Sequence, residues 1–349
     1  MAGRLSVRCG CARGFTLIEL LVVIAIIALL VGILLPSLSG ARKEARALKC
    51  GVNARSVTLA VAAYAADNKD TIPPAYVYGA DQTGTRWRIE DQQGEDFSGP
   101  EGYVHWSGFL FDQGSGAGQG SGGLPQEAFT CPDVPRGGVT ATNPGSDGEL
   151  EPGQQPSNAA AWDRQAKRIA YAGNAAIFPR NKFRGNPQRD NRLVKSGELT
   201  FPSKTILVAE FLVYNGGWEG IMSGPTSKSH RPITPFVGGS AGGNVYAEPR
   251  IGNAPRFFYP NWRNNIYPNE RLGPNMISDP NTNLNAVGRH HPGTGAGGGN
   301  FGGLSNFAFV DGHVERTHVI DTIEKRLWGD RFYSLTGTGN GVNMTQFAD

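Results

Sequence analysis

The sequence predicts an α+β protein: one long N-terminal helix, then a body of short strands and long loops. Three observations predict it. Phe15 to Leu35 is a run of 21 residues whose only polar side chains are Thr16 and Glu19. A helical pattern of apolar residues then continues from Ser37 to about Asn68. Beyond Pro73-Pro74 the pattern becomes β-rich segments set apart by Gly, Pro and Asn, clearest at Thr205 to Tyr214.

Composition narrows the class. Glycine makes up 49 of 349 residues, about twice ordinary usage. Charged residues are only 18%, below the usual quarter. This mix suits a loop-rich extracytoplasmic body better than a compact cytosolic enzyme. The net charge of +3 comes from Arg4, Arg8 and Arg13, which precede Gly14 with no acid among them. Without that leader the chain has 30 basic and 30 acidic residues, so nothing in its charge recommends nucleic acid as a partner.

The basic leader places the N-terminus in the cytoplasm and the body outside. As a helix, residues 15–36 span about 33 Å, enough to cross a bilayer core. A cleaved secretory signal ending at Ser39-Gly40-Ala41 and a plain single-pass anchor both account for an apolar run. Neither accounts for Glu19. A carboxylate within hydrocarbon is costly unless paired, which makes Glu19 a functional-site candidate. Pro36 removes a backbone donor and crowds the preceding turn, so a bend is expected there.

Gly14-Phe15-Thr16-Leu17-Ile18-Glu19, ahead of the apolar run, resembles the type IV prepilin cleavage and methylation motif. The resemblance implies cleavage after Gly14 by a prepilin peptidase and N-methylation of Phe15. It also implies an inner-membrane subunit whose Glu19 pairs with the freed amine of Phe15 on a neighbour. Pro36 matches a helix-kinking proline seen in many pilins. Cys50-Gly-Val-Asn53, leading to Tyr64-Ala-Ala-Asp-Asn68 and Pro73-Pro74, is similar to large relatives of the major pseudopilin of type II secretion. The implied fold is pilin-like, a long helix on a small antiparallel sheet. The implied partners are copies of the chain or other pilin-like subunits and an inner-membrane assembly platform. The expected organisation is a leader at 1–14, a transmembrane segment at 15–36, an amphipathic continuation at 37–68 and an extracytoplasmic β-rich domain at 69–349.

In the amphipathic part, Leu38, Ala41, Ala45, Leu48, Val52, Leu59 and Ala63 form one helical stripe, widened by Val57, Val61 and Tyr64. The stripe is expected to pack on the protein's own sheet, with contact to neighbouring subunits as a second use. Arg42, Lys43, Glu44, Arg46, Lys49 and Arg55 take the other faces.

In the body, strands are expected at Arg168–Ala172, Thr205–Tyr214, Leu304–Val310 and His313–Ile320. Asp311-Gly312 between the last two signals a two-residue hairpin turn. The stretches 112–123 and 292–303 are Gly-rich and expected to be mobile. Residues 216–288 read as a large insertion with few periodic runs, in which Phe257, Phe258, Tyr259 and Trp262 form loop core. The resembling family often ends in a His, a short spacer, a strand and Asp-Gly-His. Here 19 residues separate His291 from Asp311.

Cys9 and Cys11 fall in the leader, which leaves Cys50 and Cys131 either as a disulfide in an oxidising compartment or as two buried thiols. Asp311 and His313, with His291 near, are the candidate ligands for a divalent cation. Ca²⁺ at the turn is the form considered, set against a plain hydrogen-bonded Asp-Gly turn. No Gly-x-Ser-x-Gly, Walker or dinucleotide motif occurs. No catalytic residues and no other cofactor are expected. The alternative function is a membrane-anchored binding protein or hydrolase using a prepilin-type signal.

Overall fold

A computed structural model describes residues 15–78, 103–110, 123–145, 150, 154, 163–179, 191–212, 232–238, 257–273, 280–335 and 339–348. The leader, including Gly14, lies outside these residues, as do 112–122 and much of the 216–288 insertion. The chain divides into two compact units, Met1–Ala45 and Arg46–Asp349.

Helix α1 is Leu17–Asp67 and is unbroken at Pro36. Among the described residues it is the one helix long and apolar enough to cross a membrane by length and composition. In the first unit its large aliphatic residues are exposed. In the second unit its buried line is Ala47, Cys50, Ala54, Val57, Val61 and Tyr64, at steps of three and four. The helix ends where Asn68 Nδ2 donates to the Tyr64 carbonyl, 2.8 Å, and Lys69 and Asp70 turn to positive φ.

The expected stripe is therefore rotated. Val57, Val61 and Tyr64 are buried, but Leu48, Val52 and Leu59 are 66%, 58% and 54% exposed. Close approach explains the choice. A Cβ at Gly51 would lie 3.2 Å from Asn306 Oδ1, so the sheet takes the face lined by Gly, Ala and Cys. The bulky aliphatics are left outside.

After α1 come β1 (Tyr76–Tyr78) and β2 (Tyr103–His105), an antiparallel pair. The main sheet follows: β3 (Tyr171–Gly173) and β4 (Ile206–Glu210) from the middle of the chain. A small three-stranded sheet then begins with β5 (Val237–Gly238) and β6 (Phe257–Pro260), followed by the short helix α2 (Trp262–Asn265). The main sheet is completed by β7 (Ser305–Phe309) and β8 (Val314–Thr317), giving the antiparallel order β3-β4-β7-β8. Helix α3 (Val319–Glu324) and β9 (Val342–Ala348) close the chain, β9 running parallel to β6. One face of the main sheet packs Tyr171, Val208 and Ala308 against Cys50, Ala54, Val57, Val61 and Tyr64 of α1. The other packs Ile206, Ala209, Phe307 and Phe309 against Phe257, Tyr259, Ile320 and Ile323. This is the expected α+β arrangement of a long helix on an antiparallel sheet.

Four expectations change in detail. The last strand stops at Thr317, because His318 caps α3 by accepting from the Ile320 amide, 3.2 Å. The hairpin is wider than a two-residue turn: Ala308 pairs with Val314, and of Asp311 and Gly312 only Gly312 has positive φ, at 90°. The Gly-rich stretch 292–303 is packed, with Gly295 against the His318 side chain, Gly297 against Ile320 and Phe301, and Gly302 against Arg289. Side chains at these glycines would not fit, so the composition serves packing rather than mobility. Finally, the 216–288 region contributes strands: Phe257 and Tyr259 are buried in β6, and the Phe236 and Tyr259 rings lie 5.1 Å apart.

Candidate functional site

Two places in the chain are candidates for functional chemistry. At the N-terminal segment, Thr16 and Glu19 satisfy each other around the first turn of α1. Glu19 Oε2 accepts from the Thr16 amide, 2.9 Å, and from Thr16 Oγ1, 2.8 Å, while the Glu19 amide donates back to Thr16 Oγ1, 3.2 Å. This is a reciprocal capping box. The Thr-x-x-Glu spacing that signals it is plain in the sequence, yet a search for a cationic partner passes over it. Phe15 lies at the head of the helix, 70% exposed.

The second place is buried between α1 and the main sheet. Cys50 and Cys131 form a disulfide with Cα atoms 4.8 Å apart. Beside it stands Glu210, the last residue of β4 and fully buried. A carboxylate there is stable only because every lone pair is used. Its Oε1 accepts from His291 Nε2, 2.8 Å, and from Asn306 Nδ2, 2.8 Å. Its Oε2 accepts from the Asn306 amide, 2.7 Å, and Ser305 Oγ, 3.1 Å. His291 also donates from Nδ1 to Asp133 Oδ2, 2.9 Å. Asn306 Nδ2 reaches the Ala47 carbonyl of α1, 3.0 Å, and Tyr171 Oη donates to the Cys50 carbonyl, 2.7 Å. His290 Nε2 lies 3.6 Å from Cys131 Sγ. The extended spacer after His291 does not spoil this geometry: His291 and Leu304 exchange both backbone bonds at 3.0 Å, so the glycine loop closes on itself before β7 begins.

Ionisation follows the geometry. Burial by itself would raise the Glu210 carboxyl, but the hydrogen bond and charge of His291, helped by His290 and the Asn306 amide, hold it below its ordinary value. Burial likewise opposes the charged form of His291, and is outweighed by its bonds to Glu210 and Asp133, which raise it. Burial lowers His290. A histidine raised in the folded state stabilises fully below its unfolded value of 6.5, and loses that contribution as pH rises through the folded value. Glu210 contributes above its ordinary 4.5 and loses its contribution as pH falls through the depressed folded value. His290, being lowered, works against His291, so the His291 effect is read by difference. The stability cost of His291→Gln is expected to shrink as pH rises above 6.5, measured as denaturant midpoints of wild type and variant in parallel. A constant cost across that range contradicts the charged pair.

The candidate cation ligands at the hairpin lie elsewhere. His313 Nδ1 and its amide both bond Asp311 Oδ1, at 2.6 and 3.1 Å, and the His313 ring stacks on Phe309 at 4.1 Å. They make a self-satisfied exposed turn, and His291 is engaged with Glu210 and Asp133 instead. Among the described residues the donors that converge are Cys50, Cys131, Glu210 and His291, all buried, with one donor atom of each within 4.8 Å of the others. Sequence reasoning missed Glu210 and Asp133. The available signal was a lone carboxylate closing the apolar run Ile206 to Ala209. A shallow depression beside Phe236, Pro260, Ile266 and Leu284 encloses no space for a water molecule and has no acid and no histidine in its lining.

Comparison with known proteins bears on the first place. Residues 10–35 match the family model described as the prokaryotic N-terminal methylation motif. This chain carries a prepilin-type N-terminal segment. A stretch of 34 residues is 68% identical to the type IV wide pilus major component PilA4 of Thermus thermophilus. That stretch covers 10% of this chain and 26% of the relative, so about a quarter of the relative's length is matched. No solved structure matches the chain. The family-model match spans the segment in which Phe15 and the Thr16–Glu19 box head the helix.

Proposed function

We propose that the protein is a prepilin-type structural subunit that works by assembly rather than catalysis. In this reading a prepilin peptidase cleaves after Gly14 and Phe15 becomes the N-methylated terminus. Residues 15–36 hold the chain in the inner membrane, N-terminus cytoplasmic and body periplasmic. An inner-membrane platform then builds copies of it, or mixed pilin-like subunits, into a type II secretion pseudopilus or type IV pilus-like filament. The observation that carries the reading is the match of residues 10–35 to the methylation motif, with Phe15 exposed at the head of the helix. The exposed line Leu48, Val52 and Leu59 supports it, because it is an apolar helix face that the protein's own sheet leaves uncovered. A neighbouring copy is the occupant this reading assigns to it.

The test is a pair of charges on that line. Val52→Lys combined with Leu59→Glu is expected to change body stability by no more than about 0.5 kcal/mol, as for surface sites. The same pair is expected to cut recovered filament at least tenfold. Unchanged filament yield, with the variant present at wild-type level in the membrane, refutes this use of the face.

A further inference from the structure

We propose that Cys50, Cys131, Glu210 and His291 are the ligands of a structural zinc-type cation, held in place of the disulfide once a dithiol reductant has opened it. The four donor atoms already lie within 4.8 Å of one another. A tetrahedral site with bonds of about 2.0–2.3 Å sets its donors roughly 3.3–3.8 Å apart, so the widest separations must close by about an ångström, while the two sulfurs must part once their bond is reduced and His291 Nε2 and Glu210 Oε1, now 2.8 Å apart, must open slightly. Two thiolates, an imidazole and a carboxylate are a donor set for zinc, whereas calcium and magnesium take oxygen.

The surroundings argue for the same assignment. A metal-binding histidine usually gives its other ring N–H to a carboxylate, which fixes the tautomer and aims the free nitrogen. His291 does this: Nδ1 is tied to Asp133 at 2.9 Å, and Nε2 faces Glu210 at 2.8 Å. Glu210 is itself oriented by Ser305 Oγ and by the amide and side chain of Asn306. A disulfide by itself needs neither a buried carboxylate nor an oriented imidazole beside it. His290 Nε2, 3.6 Å from Cys131 Sγ, is placed to donate to a thiolate there, while its Nδ1 is buried without a partner among the described residues. With all four ligands buried, no open coordination position is left, which marks a structural rather than a catalytic site.

The chemistry balances. The dithiol passes two electrons and two protons to the disulfide, leaving thiols at Cys50 and Cys131 and the reductant as its own disulfide. Cation binding then releases both thiol protons and the proton that His291 Nε2 shares with Glu210. The cation takes the place of that proton.

The experiment uses the full chain in detergent, with Cys9→Ser and Cys11→Ser so that leader thiols do not compete. The protein is reduced with a water-soluble phosphine and titrated with Co²⁺, which reports tetrahedral thiolate ligation through its absorption. The reduced chain is expected to bind one equivalent, with a thiolate-to-cobalt charge-transfer band and intense visible bands that Zn²⁺ abolishes. The oxidised chain is expected to show neither. Asp133→Asn, which removes only the carboxylate behind His291, is expected to weaken binding by about 10–100-fold. Three results overturn the proposal: a reduced, folded chain without the charge-transfer band, an oxidised chain with the same spectrum, or a reduced chain that unfolds even with Zn²⁺ present. Wild type alone decides these, so an unstable variant does not block the test.

Discussion

His291→Ala is expected to destabilise the body by about 3–5 kcal/mol. The histidine lies between Glu210 at 2.8 Å and Asp133 at 2.9 Å, and Glu210 is fully buried at the end of β4. Removing the imidazole leaves a carboxylate in the interior without its counter-charge, and that uncompensated charge, more than the lost contact, sets the cost. Replacing both partners should be far milder, because Glu210→Leu with His291→Leu leaves no charge to strand. Denaturant midpoints of the full chain in detergent, followed by the fluorescence of buried Trp106 and Trp328, measure both. A loss under about 1 kcal/mol for the single change would mean that water reaches Glu210 and the pair is not a structural anchor.

Glu19→Val is expected to leave membrane insertion intact and to reduce filament assembly by at least tenfold. The carboxylate bonds Thr16 through Oε2, which caps the helix but gives its charge no cation among the described residues. In the assembled state proposed above, the freed amine of Phe15 on the next subunit supplies that cation. Without Glu19 the amine would dock unpaired in a medium where a lone charge costs about 2.5–3.5 kcal/mol on insertion scales, more on an isolated helix. Thr16→Ala separates capping from assembly. It removes the hydroxyl contacts yet keeps the carboxylate, and is expected to cost only a cap, about 1 kcal/mol, with assembly near wild type. Equal loss in both variants would assign Glu19 to the helix start alone. The N-terminal mass of each variant shows separately whether processing still occurs.

The parts of this protein that were legible in its sequence are those whose signal is local. Gly14 to Glu19 and the apolar run behind it need no partner to be recognised. Neither do Thr205–Tyr214 and Leu304–Val310, whose apolar runs place β4 and β7, although β4 ends at Glu210, four residues short of the expected end. The face of α1 was misread because hydropathy favours Leu48, Val52 and Leu59, whereas the close approach of β7 and β8 selects Cys50, Gly51 and Ala54. Glycines 295 to 303 read as mobile because a sequence does not show that His318 and Ile320 press against them. β6 escaped notice because its partner β9 lies some eighty residues on and pairs in parallel with a register shift. The cluster escaped for the same reason: Cys50, Cys131, Glu210 and His291 come from four separate segments, so no spacing announces them.

The most direct test of the account is the mass of the N-terminal peptide from protein isolated out of native membranes. The account predicts a chain that begins at Phe15 and carries one added methyl group on its amine. A chain that keeps residues 1–14, or one that begins near Arg42 after removal of the whole apolar run, would contradict it.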